Sequence, residues 1–555
     1  MRNKPKFLFV LSSHWKHHYE IPASIPIIKS ILKRNGVRGE EILDNCSLDR
    51  IPLNKNILRF QKDNPSGKIV FFISLFYRTK KNTDLLISEL RLLRKKFKNS
   101  LIAIGGSAVT VAPEIFMEEK TVDIVTVGEG EISLPYILKY LLKKSSFIPN
   151  SYILKNRKYC FNKAKGSANI KELYRSQTDI IKNFNKKLSP EKNGFLRLEF
   201  SRGCYFNCSF CYEQMIRKRL NLDPEKRVRM ISPEKAVLLL RAAEKKKVKK
   251  FFICSNSLTF LPKKWLDKFS ALLSVSFAKN IGSRDKPILR FDSCPIDFQR
   301  KEVKNFIKKL RKFFYLFMNI GFEALDKETL YNFNKPHQYA PKRIINDLLF
   351  FLQPYIEKKE IGIFPNFICL HPWTNFKKIK GITEFWFKWG LEAAEMDAFI
   401  IYFIPQSRLD LPTENLPIVD ILKKNGLFLR KNNENSFKFL YEKKVLFPKN
   451  KDDTDLKRLV FFHERLKNLF AKKFGFSHDS PTEYKDFIKE KFKEKDGKRK
   501  ENNEKFYKFY LRILNDAEYK WPRMSYQKYE KESDKKIMEI LEMVKKCWLL
   551  KTKPD

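Results

Sequence analysis

Cysteine, histidine, glycine and acidic residues are all scarce in this 555-residue chain, and each scarcity narrows what the protein can be. The nine cysteines form an odd, unevenly spaced set, which excludes a disulfide framework and favours reduced thiols in the cytoplasm. No apolar run reaches the roughly 18 residues of a membrane helix, so no membrane span is predicted. The basic, briefly apolar start at 1–13 predicts a first β-strand rather than an export signal.

Because acidic residues are few, the chain is strongly basic. There are 63 Asp and Glu against 112 Lys and Arg, which gives a formal net charge of +49. Such a balance can indicate a nucleic-acid or other anionic partner. The basic residues are spread along the whole sequence, however, which favours a solvated surface. A nucleic-acid partner therefore stays open but is not favoured.

Against this background, one cluster of cysteines stands out. The stretch 201–212 reads SRGCYFNCSFCY and places Cys204, Cys208 and Cys211 in a C-x3-C-x2-C array. Three thiolates are too few to close a structural zinc site, which takes four ligands, unless a distant residue supplies the fourth. They are the right number to hold three irons of a [4Fe–4S] cluster and to leave the fourth iron open to a small molecule.

The array resembles the signature of the radical S-adenosylmethionine (SAM) superfamily. The resemblance implies that the three cysteines bind a [4Fe–4S] cluster, that SAM chelates the open iron, and that an electron from the cluster cleaves SAM to a 5′-deoxyadenosyl radical. It also implies that Phe210, just before the last cysteine, packs beside the adenine of SAM.

Strand-like and helix-like segments alternate in the first 145 residues. Short apolar runs predict strands at 6–11, 41–43, 68–75, 101–106 and 122–127, and helical periodicity follows several of them. This alternation predicts a Rossmann-like, doubly wound parallel sheet. Ligands bind such sheets at the carboxyl ends of the strands, which is where the glycine pairs at 105–106 and 128–130 fall.

The region resembles the cobalamin-binding domain that precedes many radical SAM barrels, through IGGSAVTVAPE at 104–114 and VDIVTVGEGE at 122–131. The D-x-H-x-x-G motif that supplies an axial histidine in cobalamin mutases is absent, because 44–49 reads DNCSLD. A degenerate domain without cobalamin is the alternative. The resemblance implies that cobalamin is bound by Ser12, Ser74, Gly105, Gly106, Ser107, Gly128, Glu129 and Gly130.

A second strand and helix alternation occupies 191–412, after a connecting segment at 146–190. Strands are expected at 194–200, 250–254, 288–291, 315–321, 359–370 and 398–403. The first strand leads directly into the cysteine stretch, as expected for a TIM-like barrel with its chemistry at the carboxyl ends. Six such units fit the partial (β/α)6 barrel of the radical SAM family.

The segment GFEALDKETLYNFNK at 321–335 resembles the G-x-E turn followed by Asn-Lys of cobalamin-type radical SAM proteins, with Ala324 replacing the usual small hydroxyl residue. The resemblance implies that Glu323 contacts SAM or orders its loop. Asn256 lies at the end of the second strand, where relatives often place an acidic or amide residue facing SAM, and Arg290 lies near the end of the third. The resemblance therefore implies that both residues bind SAM. His371 lies at the end of the fifth strand, where substrate could be met, but a structural role is favoured. No catalytic residue is assigned.

The remaining residues, 413–555, carry no recognisable motif and are expected to be mainly helical. The favoured function is a cobalamin-dependent radical SAM enzyme that methylates an unactivated carbon of a small-molecule or peptide substrate, with a flavodoxin or ferredoxin as electron donor. Two alternatives stay open: a non-methylating radical SAM reaction, such as ring contraction or cyclisation, and modification of RNA. The sequence does not identify the substrate.

Overall fold

The structure is a computed structural model. It describes residues 6–13, 24–38, 41–47, 51, 54–75, 80–111, 113–117, 120–163, 170–182, 195–211, 213, 216–217, 220, 227–255, 257–283, 285–368, 375–388, 462, 492–494 and 499–550.

The N-terminal half is built on a seven-stranded sheet in which the first five strands run parallel. The strand order is β2-β1-β3-β4-β5-β6-β7, and only the last two strands are antiparallel to their neighbours. Long apolar runs form the central strands because both faces of the sheet are covered. The strands are β1 (Phe7–Ser13), β2 (Ile42–Ser47), β3 (Lys68–Ser74), β4 (Leu101–Gly105), β5 (Ile124–Thr126), β6 (Ser151–Lys155) and β7 (Lys158–Asn162).

Helices cover both faces of this sheet, which makes it doubly wound. Apolar side chains of α1, α6 and α7 pack in one core, and those of α2 and α3 pack in a second core on the opposite face. The helices are α1 (Ser24–Arg34), α2 (Lys55–Asp63), α3 (Lys80–Lys96), α4 (Ser107–Val111), α5 (Glu114–Met117), α6 (Gly130–Leu141) and α7 (Ile170–Lys182). Strands β6 and β7 belong to this sheet although they fall in the predicted connecting segment.

The second domain contains five described parallel strands, in the order β14-β13-β12-β11-β8. Its strands are β8 (Leu196–Leu198), β11 (Lys250–Ile253), β12 (Ile288–Ser293), β13 (Tyr315–Glu323) and β14 (Ile361–Phe367); β9 (Ser201–Arg202) and β10 (Arg229–Met230) form a separate small pair. The helices of this part of the chain are α8 (Pro233–Lys245), α9 (Lys263–Ser276), α10 (Lys301–Leu310), α11 (Lys327–Asn332), α12 (Pro341–Glu357) and, after the last described strand, α13 (Phe376–Lys388). The predicted sixth strand, at 398–403, lies outside the described residues.

The described C-terminal residues are mainly helical, and their apolar side chains pack in the same core as the barrel. Helices α14 (Arg499–Tyr519) and α15 (Tyr526–Cys547) flank a short 3₁₀ turn, and β15 (Phe492–Glu494) pairs with β16 (Trp548–Leu550). Trp521 is fully buried, with its ring 5.5 Å from that of Phe376 in α13 and 5.3 Å from that of Tyr529. None of the described helices combines the length and apolar character needed to cross a bilayer.

Candidate active site

The loop that carries the three cysteines begins directly after β9. Gly203 has φ +92°, a left-handed conformation that favours glycine, and an added Cβ would lie 1.7 Å from the carbonyl oxygen of Arg227. The Arg217 guanidinium holds the loop by donating to the carbonyl oxygens of Cys204 at 3.2 Å and Phe206 at 3.0 Å. The loop is therefore fixed by close backbone packing at its start and by one arginine along its length.

Replacing Gly203 by alanine should destabilise the protein by about 3 kcal/mol or more, because the new Cβ meets backbone that cannot move alone. Gly282→Ala is the matched control. Gly282 also has positive φ, +77°, but nothing lies within 4 Å of its added Cβ. That variant should cost only about 1–2 kcal/mol. Urea unfolding of the two variants measures the difference, and equal losses would contradict the close contact.

The three cysteine side chains are largely buried on this loop, and none is in a disulfide. Burial raises the pKa of Cys204 to about 11 and that of Cys211 to about 12, and it also raises the pKa of Cys208. Metal binding to such thiols must displace their protons. Within the described residues, no three Cys, His, Asp or Glu side chains converge on a single-ion site. A cluster does not require such convergence, because each thiolate binds a different iron.

The segment 321–335 packs directly against the cysteine loop. Ser209 donates to the carbonyl oxygen of Asn332 at 2.7 Å, and Asn334 donates to the carbonyl oxygen of Asn207 at 2.9 Å. The ring of Phe210 lies 5.1 Å from that of Phe333. The two stretches that carried the family resemblance therefore form one site.

Lys335 joins the predicted SAM residues to each other. Its Nζ lies 3.3 Å from Oε1 of Glu323 and 5.9 Å from the centre of the Phe210 ring. Both charged side chains are nearly buried, at 7% and 12% exposure, so each depends on the other for charge balance. The sequence pattern matched Lys335 to the family but did not indicate this role.

Of the two further residues predicted to bind SAM, only Arg290 lies within the described part of the chain, and it lies on a different strand from Glu323. Arg290 lies on β12, beside Phe317 of β13, whereas Glu323 is the last residue of β13. Asn256 lies outside the described residues, as does His371.

A neutral histidine that the sequence did not single out supports the end of β13. His337 is buried, and its Nε2 lies 3.1 Å from the carbonyl oxygen of Phe322. Burial and the nearby Lys335 charge lower the pKa of His337 to about 3, so the ring is uncharged at neutral pH. Its Nδ1 lies 4.0 Å from Sγ of Cys294. We assign these two residues to packing behind the site.

A cavity of about 370 Å³ opens at the carboxyl edge of the seven-stranded sheet. Of the residues predicted to bind cobalamin, all but one line it: Ser74, Gly105, Gly106, Ser107, Gly128, Glu129 and Gly130. Ser12 is buried in β1 instead and is not part of the lining. The inner wall is apolar and is formed by Ile27, Ile28, Phe72, Ala103, Leu134 and Ile137. The opposite wall comes from the barrel domain and includes Arg197, Glu199, Ser201, Arg202 and Cys254.

Two of the cavity glycines are required because neighbouring protein atoms occupy the space where a Cβ would lie. An added Cβ on Gly106 would lie 2.4 Å from the carbonyl oxygen of Leu75, and one on Gly128 would lie 2.5 Å from a methyl carbon of Leu220. Both glycines line the cavity, but the space where a Cβ would lie is filled by protein. Larger residues there would therefore disturb the fold before they tested a ligand.

A buried charge cluster closes the boundary between the two domains. Arg202, two residues before Cys204, donates to Glu131 at 2.7 Å and to Glu199 at 2.7 Å. Glu129 lies 3.5 Å from Arg202 and accepts from Arg229 at 2.5 Å. Burial alone would raise the pKa of Glu131, but the Arg202 charge and its hydrogen bonds hold it below the ordinary value of 4.5. The cluster fixes the glycine-rich edge of the cavity to the strand that leads into the cysteine loop.

Arg202→Met should destabilise the protein by about 3–5 kcal/mol at pH 7, because it leaves Glu131 buried and uncompensated. The pKa of Glu131 is depressed in the folded state, so the pair stabilises the fold above pH 4.5 and loses that effect as the pH falls through the folded-state pKa. The deficit of the variant should therefore shrink in acid. Urea unfolding across pH measures it. In the control, Arg175→Met removes the more exposed pair with Glu172 and should cost less than about 1 kcal/mol.

Comparison with known proteins agrees with this arrangement. The family model described as the Radical SAM superfamily matches residues 198–346. No curated protein matches the chain by sequence. A solved structure of the cobalamin-dependent SAM radical enzyme OxsB, with aqua-cobalamin and SAM bound, is 14% identical with a TM-score of 0.64 over 98% of this chain and 80% of that one.

A second solved structure has a similar fold. It is the radical SAM methyltransferase TsrM from Kitasatospora setae, with cobalamin and a [4Fe–4S] cluster bound. It is 13% identical, with a TM-score of 0.57 over 88% of this chain and 99% of that one. At such low identity these likenesses establish the fold. Residues 198–346 match the Radical SAM superfamily, whose cofactors are a [4Fe–4S] cluster and SAM. This part of the chain is therefore of the radical SAM type, and the chain as a whole has the fold of the solved cobalamin-dependent radical SAM enzymes.

Proposed function

We propose that this protein is a cobalamin-dependent radical SAM enzyme that transfers a methyl group to an unactivated carbon. The observation that carries the proposal is the cavity of about 370 Å³, which is lined by the sheet edge on one side and by the barrel domain beside the cysteine loop on the other. Such a cavity would let a cofactor held by the first domain lie next to the reacting groups held by the second.

The residues at the cysteine loop fit a cluster and SAM. Cys204, Cys208 and Cys211 would hold three irons, because their thiols are buried and their spacing leaves one iron open. Phe210 would contact the adenine of SAM, and Glu323, held by Lys335, would orient its charged groups or the loop beside it. The Cys208 thiol and the pair formed by Glu323 and Lys335 are nearly buried, which would limit the access of water to a reactive centre.

The residues at the sheet edge fit cobalamin. The apolar inner wall suits the flat aromatic base of its nucleotide tail, and the small and polar residues at the mouth suit its amides and phosphate. When bound, the cluster and SAM supply a 5′-deoxyadenosyl radical, and cobalamin supplies a transferable methyl group. The cobalamin dependence of OxsB and the methyltransferase activity of TsrM support this assignment.

The chain's own part in the reaction is positioning. Arg202 and its three glutamates would fix the cobalamin edge relative to the cluster loop, so that substrate meets both cofactors at one place. An external low-potential donor, such as a flavodoxin or ferredoxin, would supply the electron. The substrate is expected to be a small molecule or a peptide.

The test is anaerobic purification, cluster reconstitution and addition of hydroxocobalamin, followed by a metal count. We expect about four irons and stoichiometric cobalt, and transfer of deuterated methyl from labelled SAM to an acceptor. Iron without cobalt would overturn the cobalamin assignment. SAM cleavage without methyl transfer, in a protein that holds cobalt, would favour the non-methylating alternative.

A further inference from the structure

Part of the cysteine loop is exposed to solvent. Between Cys204 and Cys208, the side chains of Tyr205 and Asn207 are exposed, and Tyr205 is 47% exposed, whereas Cys208 is only 8% exposed. Neither Tyr205 nor Asn207 lines the cavity at the domain boundary. Because the cluster ligands belong to the same loop, this exposed side is protein surface that lies next to the iron-binding thiols.

The exposed side of the loop is held in a fixed position. Asn334, which is also exposed, donates to the carbonyl oxygen of Asn207 at 2.9 Å, and Arg217 donates to Oδ1 of Asn207 at 3.1 Å. The ring of Tyr205 packs edge-on against that of Phe260, with 5.3 Å between their centres. A surface that is ordered before binding loses little conformational entropy when a partner docks. We call the exposed residues Tyr205, Asn207 and Asn334 the loop face.

The starts of helices α9 and α10 lie beside the Tyr205 side of the loop face. Phe260, which packs against Tyr205, lies three residues before Lys263, the first residue of α9. Arg300 directly precedes α10 and donates to the carbonyl oxygen of Phe260 at 3.2 Å. The first residues of both helices are therefore held near the exposed Tyr205 ring.

Basic side chains outnumber acidic ones at these two helix starts. The two acidic side chains in the first turns are already paired: Asp267 with Lys263 at 2.7 Å, and Glu302 with Arg300 at 3.0 Å. Two more exposed lysines, Lys264 and Lys301, add positive charge that these carboxylates do not balance. On the α11 side of the loop, by contrast, the lysines at 327 and 378 are matched by the carboxylates at 326 and 328. The positive edge of the loop face is therefore the one beside Tyr205.

We propose that the loop face, with Lys264 and Lys301 at its edge, is the docking surface for an acidic electron-transfer protein that reduces the cluster. Excess positive charge attracts and orients an acidic partner, chiefly by raising the association rate. An exposed tyrosine supplies apolar contact area of the kind that is enriched in interfaces. The position suits an electron donor, because a redox partner must bring its own redox centre close to the cluster. The inference rests on the proposed function in one respect, namely that an external protein supplies the electron.

The experiment measures electron transfer between the reconstituted cluster of the full-length protein and an acidic flavodoxin, without SAM or cobalamin. The cluster is first photoreduced and then mixed with oxidised flavodoxin, so that the electron flows downhill through the same contact. Free riboflavin, a small neutral acceptor, serves as the comparison. The double variant Lys264→Glu/Lys301→Glu should lower the second-order rate constant with flavodoxin by about tenfold or more at low ionic strength and leave that with riboflavin unchanged. Added salt should slow the wild type and narrow this gap.

The double variant Lys308→Glu/Lys309→Glu is the matched control. These two lysines are exposed in the last turn of α10, at the opposite end of the helix that begins with Lys301. The control makes the same change of net charge and should keep the wild-type rate with flavodoxin. Equal slowing in both double variants would reveal a general charge effect and overturn the inference. An unchanged rate in Lys264→Glu/Lys301→Glu would also overturn it, as would equal slowing with riboflavin.

A second measurement uses the wild-type protein and covers the case in which a variant does not hold its cluster. Carbodiimide crosslinking to flavodoxin, followed by peptide mapping, should join Lys264 or Lys301 to a flavodoxin carboxylate. Crosslinks confined to other lysines would contradict this docking surface. If single-stranded RNA, but not flavodoxin, protected these two lysines from acetylation, the occupant would be nucleic acid and the inference would be wrong.

Failure of the docking surface is distinguishable from failure of the proposed function. A chain that holds no reducible cluster would overturn the proposed function and this inference with it. A cluster that reduces riboflavin normally, but whose reaction with flavodoxin does not depend on Lys264 and Lys301, would overturn the docking surface alone.

Discussion

Replacing Cys208 by alanine should leave the protein without its iron–sulfur cluster and abolish reductive cleavage of SAM. Cys208 is the middle residue of the array, and its thiol is buried with 8% exposure. The two remaining cysteines, Cys204 and Cys211, are too few to hold a [4Fe–4S] cluster alone, because two thiolates leave two irons without a protein ligand. Iron content after reconstitution should fall from about four per chain to near zero, and the visible absorbance of the cluster should disappear with it.

Cys160→Ala is the control for this experiment. Cys160 is exposed on β7 and lies far from the array in the sequence, so its removal should leave iron content and SAM cleavage unchanged. A Cys208 variant that keeps full iron and still cleaves SAM would contradict the cluster assignment. Circular dichroism of both variants checks that loss of iron does not reflect loss of the fold.

The strand framework was predictable because its signals are local. The runs 6–11, 68–75 and 101–106 are continuous and apolar, and the structure places β1, β3 and β4 there. The cysteine array and the segment 321–335 were recognisable for the same reason, since each is a short, ordered pattern. The structure then brings both segments into one site through Phe210, Phe333 and Lys335.

The charge cluster at the domain boundary could not be predicted, because its partners are distant in sequence. Arg202 meets Glu131 across 71 residues, and Arg229 meets Glu129 across 100 residues. In a chain with 112 basic residues, nothing in the pattern distinguishes these two arginines from solvated ones. Arg217 and His337 were missed for the same reason, because their roles depend on backbone carbonyls that only the fold brings near.

The glycines show a different limit of sequence reasoning. A glycine-rich strand end predicts that another group approaches the backbone closely, but the pattern does not say whether that group is a ligand or part of the protein. At Gly106 and Gly128 the approaching group is the protein itself. A test of cobalamin binding must therefore change the cavity at positions where a larger side chain would extend into the cavity rather than into neighbouring protein atoms.

Ile137→Trp should weaken cobalamin binding at least tenfold, which corresponds to about 1.4 kcal/mol. Ile137 lies on α6 with 1% exposure and forms part of the apolar inner wall of the cavity. A tryptophan there would occupy the space that we assign to the aromatic base of the nucleotide tail. Equilibrium dialysis with hydroxocobalamin, followed by a cobalt count, measures the loss without requiring turnover.

Tyr136→Trp is the matched control, because it adds a tryptophan to the neighbouring position of the same helix. Tyr136 is 37% exposed and does not line the cavity, so cobalamin binding should be unchanged. Ala103→Leu enlarges a second residue of the inner wall by less than the tryptophan does, and it should also weaken binding. A loss of binding in both variants would not be explained by overpacking at one site. Iron content should stay normal in all three variants, since the cysteine loop is not altered. Full cobalt in both cavity variants would show that cobalamin does not occupy this cavity, whereas loss of iron together with cobalt would indicate a disturbed fold.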